Sequence, residues 1–295
     1  MPKLLPAVSP ATSALTATEP PRAISRSRTV AEILVALIPN LGLIAIPFVS
    51  PTAVSFALCA AVMLMCGFGV TVCHHRYFAH RSFKTSRWFQ FVLGWWASAT
   101  GQRGPLWWSA HHRRHHSHSD TEGDVHSPTA GGFLHAHLGW LFGKPAAAPD
   151  FRVMRDFAKF PELVWLDRLW AVPFLLVGFA CYLIGGWAGV VYGFCLGCAI
   201  VLQITFSINS FAHLFGKQPH PTGDSSRNNW LLGVIGFGEG WHNNHHHSPR
   251  TARLGVKWNQ IDFGYWMILV LEKLGLIWCV RKTPRPPRGE RHSEG

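Results

Sequence analysis

Histidine dominates the chemistry available to this chain: 18 His stand against 15 Asp and Glu among 295 residues. Most of them gather in three places. The first is C-H-H-R-Y-F-A-H-R, with His74, His75 and His80; the second is H-H-R-R-H-H, with His111, His112, His115 and His116, trailed by His118 and His126. The third is W-H-N-N-H-H-H, with His242, His245, His246 and His247, and upstream of it N-S-F-A-H supplies Asn209 and His213. Positions i, i+3 and i+4 share one face of a helix, so His112/His115/His116 and His242/His245/His246 each aim three imidazoles one way. A histidine run can be a tag or a loose metal-binding tract. Here the clusters are separate, sit in the aromatic-rich body of the chain, and two repeat the same H-x-x-H-H spacing, which argues for a built site. His135, His137, His220 and His292 fit no cluster and are expected to be structural.

Nine imidazoles exceed the coordination shell of one ion, so two metals are expected. Structural zinc takes four ligands with Cys prominent, and no Cys accompanies these clusters. Copper stays open on ligand softness; a pair of irons fits many His ligands, open positions and an apolar wall. The soluble di-iron bundles carry Glu-x-x-His twice together with two further Glu; here the spacing occurs once, at Glu239 and His242, so the site is expected to be built from nitrogen instead of carboxylate. Asp120, Glu122 and Asp124 follow the second cluster, with His126 beside them, and Glu239 precedes the third. All are placed to fix imidazole tautomers from behind.

The elements that must position these residues are apolar. Four uncharged runs, Ile33–Val49, Thr52–Cys73, Leu169–Gly185 and Ala188–Ile208, approach the ~20 residues of a spanning helix. Short joins at Ser50–Pro51 and Gly186–Trp187 make them two membrane hairpins. All 27 Lys and Arg fall before residue 33, between Arg76 and Arg168, or from Lys217 onward. Those three segments therefore share one side, the cytoplasmic one, and a multi-pass protein with both termini cytoplasmic is expected. The layout repeats: each hairpin exits into a short ligand pair (His75/His80, then Asn209/His213), followed by H-x-x-H-H.

The remaining segments fit this frame. Residues 1–29 and 281–295 read as disordered tails, the second basic, around a body at 30–280 whose cap comprises 74–168 and 209–280. Trp88–Ala99 and Phe263–Val280 read as helices against the membrane surface. The seven scattered Cys exclude a disulfide scaffold, and Cys195-x-x-Cys198 lies among apolar neighbours, as packing. The net charge of +12 suits a cytoplasmic face beside anionic lipid; no soluble basic domain for nucleic acid is visible.

H-R-Y-F-A-H, then H-R-R-H-H with D-V-H following, then N-S-F-A-H-L-F-G and S-R-N-N-W…G-E-G-W-H-N-N-H-H resemble the membrane-bound fatty-acid desaturases of the delta-9 (stearoyl-CoA) type, over about Gly69–Arg281. The resemblance implies an all-α integral membrane protein, with four transmembrane helices in two hairpins under a cytosolic helical cap. It implies a di-iron centre held by His75, His80, His112, His115, His116, His213, His242, His245 and His246, with Asn209 acting through water. H-x-x-x-x-H selects His75 over His74, and H-x-x-H-H selects His112 over His111. Gln102, Trp108, Thr205 and Phe206 are assigned to the acyl channel. Glu122, Val125 and Phe206 depart from the animal members, which carry His, Pro and Trp there.

The implied reaction uses O2, two electrons and two protons to place a cis double bond, expected at delta-9, in a saturated acyl chain, with acyl-CoA the expected carrier and a lipid-bound acyl group the alternative. No G-x-G-x-x-G, iron–sulfur Cys set or haem domain is present, and H-P-T-G at His220–Gly223 reads as a loop. The electrons are therefore expected from a separate carrier of ferredoxin, flavodoxin, rubredoxin or cytochrome type with its reductase, acidic to suit the basic cap. A membrane di-iron hydroxylase is the rival within enzymes, and a metal transporter or metal-buffering protein the rival outside them. Transport would place polar ligands near the bilayer midplane, whereas these boxes lie at the span ends and beyond.

Overall fold

The computed structural model describes residues 26–143 and 152–282; most of both expected tails, and His292, lie outside them. Helix α1 (Arg26–Gly42) begins inside the stretch expected to be a disordered tail and passes into a 3₁₀ turn at Leu43–Phe48. Pro39 and Pro47 remove backbone donors there, which breaks up the first apolar run. Helix α2 (Ala53–Ala79) starts at a reciprocal Thr52/Ser55 capping box. Its last part, Gly69–Ala79, winds as a π-helix that carries His74 and His75 out of the apolar segment. The sequence gives no sign of this widened turn, a feature frequent at functional sites.

Helices α3 (Arg87–Ala99) and α4 (Pro105–His118) follow. Helix α3 buries Phe89, Leu93 and Ala97 and leaves Trp88, Phe91 and Trp95 exposed, a one-sided apolar stripe on the outside. The second long apolar helix, Ala171–Leu214, is broken at Gly186 (φ 56°, ψ −148°) into α5 (Ala171–Ala188) and, after a π-helical stretch at Gly189–Leu196, α6 (Gly197–Leu214). The two arms pack on one another: Phe174 and Phe194 rings lie 4.8 Å apart, and a Cβ on Gly189 would come within 2.1 Å of the Cys181 carbonyl. Only glycine permits both the reversal and the close approach. Ala53–Ala79 and Ala171–Leu214 are the two helices long and apolar enough to cross a membrane among the described residues.

Cys66, Cys181, Cys195 and Cys198 are buried in the apolar cluster between these helices with Val62, Val70 and Phe194, as packing residues. Short helices α7 (Trp230–Ile235) and α8 (His242–His247) precede α9 (Phe263–Lys273). The helix expected over Phe263–Val280 ends at Lys273, because Gly275 (φ 71°) turns the chain into a two-residue strand, β2 (Ile277–Trp278). It pairs antiparallel with β1 (Lys84–Thr85), tying the segment after α9 to the segment after the first histidine box. Helices α3, α4 and α9 share with α2 a core of Val72, Phe78, Leu93, Leu106, Met154 and Ile268.

Candidate metal centre

The two helices that carry the H-x-x-H-H boxes are each fixed at the N-terminus by a side chain from elsewhere. Asp167 Oδ1 accepts from the backbone N–H of Leu106 and Trp107 at 2.9 and 2.8 Å, capping α4 behind Pro105. Asn228 Oδ1 does the same for Asn243 and Asn244 at 3.0 and 3.1 Å, capping α8. These two remote caps set the direction in which the H-x-x-H-H boxes point.

The nine imidazoles expected to act together form two clusters, His75, His80, His112, His116 and His245 in one and His115, His213, His242 and His246 in the other, with the ring nitrogens of each within 4.8 Å of one another. The three histidines of a box do not serve one cluster. In α4 the i and i+4 positions, His112 and His116, join the first, while His115 crosses to the second; in α8, His242 and His246 join the second, while His245 crosses to the first. This exchange turns the sequence repeat into two interlocked half-sites. His74 and His111 point elsewhere, with ring nitrogens 2.9 Å from the Ala97 carbonyl and 2.8 Å from that of Trp107.

Carboxylates stand behind the rings. Glu239 lies 2.5 Å from His75 Nδ1 and also accepts from Thr71. His115 Nδ1 donates to Asp124 at 2.9 Å and His246 Nδ1 to Asp224 at 2.6 Å; His213 Nδ1 is 3.1 Å from Ser225 Oγ and 3.6 Å from Asp120. His126 packs its ring 4.4 Å from that of His115, while Glu122 is exposed. Burial would push the carboxyls of Asp120, Asp124 and Asp224 up, but the hydrogen bonds they accept outweigh it: Asp124 falls to about 2, and Asp120 and Asp224 lie well below the carboxylate range. Burial and neighbouring imidazoles hold His80, His112, His116, His242 and His245 well below 6.5, and burial takes His246 to about 4 despite Asp224.

An ionised carboxylate only accepts, so the Nδ1 of His115 and of His246 each carry a proton, and as neutral rings both would present an Nε2 lone pair inward. Those two Nε2 atoms face each other at 3.4 Å. Two acceptors so placed need a cation between or beside them. The other Nε2 pairs lie 2.8–3.1 Å apart. Neighbouring ligands on an ion with metal–nitrogen bonds of about 2.1 Å at right angles would be separated by about 3.0 Å. The donor set therefore fits two metal ions.

A recess under the clusters is lined by His75, Val70, Ile208 and Phe237, and a second one adjoins it; Trp108, His112, His126, Thr205 and Asn209 line both. Gln102 and Phe206 line the second. Gln102 Nε2 donates to Thr205 Oγ1 at 2.9 Å, its Oε1 accepts from Trp108 Nε1 at 3.3 Å, and the Trp108 ring stacks 5.0 Å from His112. The structure thus gathers Gln102, Trp108, Thr205, Phe206 and Asn209 along one passage. His137 is instead bound to Ser210 and Gln203, and His220 stacks on His247. Asp224, Asp167 and Asn228 were not anticipated from the sequence.

The family model described as fatty acid desaturase matches residues 50–275. The chain belongs to that family. Among its relatives are the sn-2 palmitoyl-lipid 9-desaturase of Nostoc sp. (35% identical; 76% of this chain and 79% of the relative covered) and the sn-1 stearoyl-lipid 9-desaturase of Anabaena variabilis (37%; 73% and 79%). Delta-9 acyl-lipid desaturase 2 of Arabidopsis thaliana is 37% identical, with 73% and 71% covered. This desaturase is accordingly an oxidoreductase of a membrane-associated family acting on fatty acyl chains.

Proposed function

We propose that this desaturase places a cis double bond at position 9 of a saturated acyl chain, using O2 and two irons. The facing lone pairs of His115 and His246 carry the metal part of this reading. One iron would be held by His75, His80, His112, His116 and His245, the other by His115, His213, His242 and His246, with Asn209 ligating through water. Bound there, the irons would supply the O2-derived oxidant that removes two hydrogens from an unactivated methylene pair, chemistry beyond any side chain.

The chain's own groups position and shield. Asp124, Asp224 and Glu239 hold His115, His246 and His75 in the tautomer that offers Nε2 inward, and Asp120 stands 3.6 Å from His213 Nδ1. Trp108, stacked on His112, and the Gln102–Thr205 bond would fix an acyl chain in the passage beneath, and the apolar walls at Val70, Val201 and Ile208 would exclude water. A lipid-esterified acyl group, as in the names of the three relatives, is favoured over the CoA thioester, and Asn209 lies where the two recesses meet.

The topology proposed with it has four spans in two hairpins, a cap at 74–168 and 209–280, and both termini cytoplasmic. Leu175, Phe179 and Leu183 point outward from α5, an apolar face suited to lipid. Expression in a host lacking unsaturated fatty acids, with lipid classes and double-bond positions read by mass spectrometry, tests the function. A hydroxylated product, or none, would refute it. Metal analysis after anaerobic purification should give about two irons per chain.

A further inference from the structure

The recess under the histidine clusters has a neighbour on the flank of the apolar helices. Between α2 and α6 runs an open groove of about 690 Å³, walled by Met63, Leu64, Phe68, Leu196, Ile200 and Val234. Both helices lie in the two apolar segments long enough to cross a membrane, so under the proposed topology the groove faces lipid. The polar residues on its edge bond to one another: Gln203 Nε2 donates to Asn40 Oδ1 at 3.2 Å, and Ser207 Oγ to the Gln203 carbonyl at 2.8 Å. The rest of the surface is apolar and suits a hydrocarbon chain.

Ile204, Ile235 and Phe237 line both the groove and the recess, and so form the wall between them. Phe237 is the unusual member. Its φ of 58° puts a bulky residue in left-handed backbone, a costly conformation that recurs at ligand clamps and switch regions. The turn is held from outside: the Phe237 carbonyl accepts from the Gly264 N–H at 2.9 Å, and the Gly238 N–H donates to the Gly233 carbonyl at 2.8 Å. The half-buried ring lies on Gly67 of α2, where a Cβ would come within 2.3 Å of it, and meets the Phe68 ring edge-on at 5.1 Å. It thus fills the space that a side chain at Gly67 would take. Swinging the ring aside would join groove to recess, and Gly236 and Gly238 put no adjacent side chain in its way.

We propose that the groove between α2 and α6 holds an acyl chain of a bilayer glycerolipid, and that Phe237 is the side gate through which this chain passes into the recess. The inference rests on the desaturase reading and names a route for its lipid-esterified substrate. A glycerolipid carries a headgroup and a second chain that stay in the leaflet, so its reacting chain has to approach the centre from the side. The groove gives that chain apolar contact before the gate, and Val70 and Ile208 continue the contact beyond it.

The test is photolabelling of the iron-loaded protein in nanodiscs that contain phosphatidylcholine with a mid-chain diazirine, the adducts being mapped by mass spectrometry. Wild type should carry adducts in the groove, at Met63, Leu64 and Ile200, and in the recess, at Val70 and Ile208. Phe237→Ala should raise the recess share about threefold or more, because it removes the closed state. Leu64→Trp/Ile200→Trp, which fills the groove from partly exposed positions and leaves the gate intact, should lower labelling of the recess by a similar factor. Leu183→Trp, on the outer face of α5, should change neither. Groove adducts no more frequent than those at Leu175 and Phe179 on α5 would mean ordinary lipid contact and overturn the proposal. It also falls if recess labelling is the same in wild type and in the groove-filling pair, since the chain would then enter elsewhere. Failure of the desaturase reading shows separately: wild type reduced anaerobically with dithionite, desalted and given O2 would form no unsaturated product, whatever its adduct pattern.

Discussion

The Nδ1–H of His246 donates to Asp224 Oδ2 at 2.6 Å, across 22 positions of sequence. Asp224 also accepts from Ser226 and Thr222, which pins its loop under α8. A carboxylate so placed fixes the tautomer and raises the basicity of the ring. Asp224→Ala should weaken metal affinity at the cluster of His115, His213, His242 and His246 by 10–100-fold. Titration with a chelator would show it as early loss of about one iron of two. Release of both irons together, or wild-type retention, would reduce Asp224 to a loop anchor.

That residue also marks the limit of what the sequence disclosed. The boxes were legible because helix periodicity makes H-x-x-H-H a one-sided array, and the carboxylates beside them, Asp124 and Glu239, stood close enough in sequence to be suspected. Asp224 lies in a loop without periodicity and reaches its ring only through the pairing of Lys217 with Asn228. The exchange of His115 and His245 between clusters depends on the relative rotation of α4 and α8, which Asp167 and Asn228 set through long-range caps. The apolar runs were visible as composition. Two details were not: the π-helical exit of α2, and the end of α9 at Lys273.

Adjacent histidines in the first box should separate cleanly. His75 lies in a cluster, whereas His74 is buried with its ring 2.9 Å from the Ala97 carbonyl, which also accepts from Thr100. His74→Ala should cost about 1–3 kcal/mol of stability through lost packing and hydrogen bonding and leave metal content near two. His75→Ala, His112→Ala and His245→Ala should each lower metal content and abolish desaturation, while His135→Ala is nearly silent. Metal analysis beside thermal melting distinguishes the outcomes, and equal metal loss in His74→Ala and His75→Ala would refute the assignment.

Acid should destabilise the metal-free protein. His246 is held at about 4 against an unfolded value near 6.5, and His80, His112, His116, His242 and His245 are shifted the same way. Across that interval the unfolded chain binds more protons than the folded one, so stability is complete above about 6.5 and declines as pH falls towards about 4. Tm of iron-stripped protein should therefore drop between pH 7 and 5. A flat or rising Tm would mean that the rings are not buried neutral.

The topology is the condition on which both clusters depend, since His112 and His116 from α4 can meet His245 from α8 only if the two boxes share a compartment. Lys and Arg are missing between Arg28 and Arg76 and again between Arg168 and Lys217, intervals that hold all of α2 before its last turn and the α5–α6 pair. Gly186 makes the second reversal with no loop to spare. In membranes oriented with the cytoplasmic face inward, single Cys residues placed at Ser119, Ser248 and Ser293 should be shielded from an impermeant thiol reagent, and those at Ser50 and Gly186 should react. Measurements use a background in which exposed Cys279 is replaced, so that labelling after the membrane is permeabilised reports only the introduced Cys. Labelling of Ser119 and Ser248 from opposite sides would separate the boxes by a bilayer, and neither cluster could then exist in the membrane-bound protein.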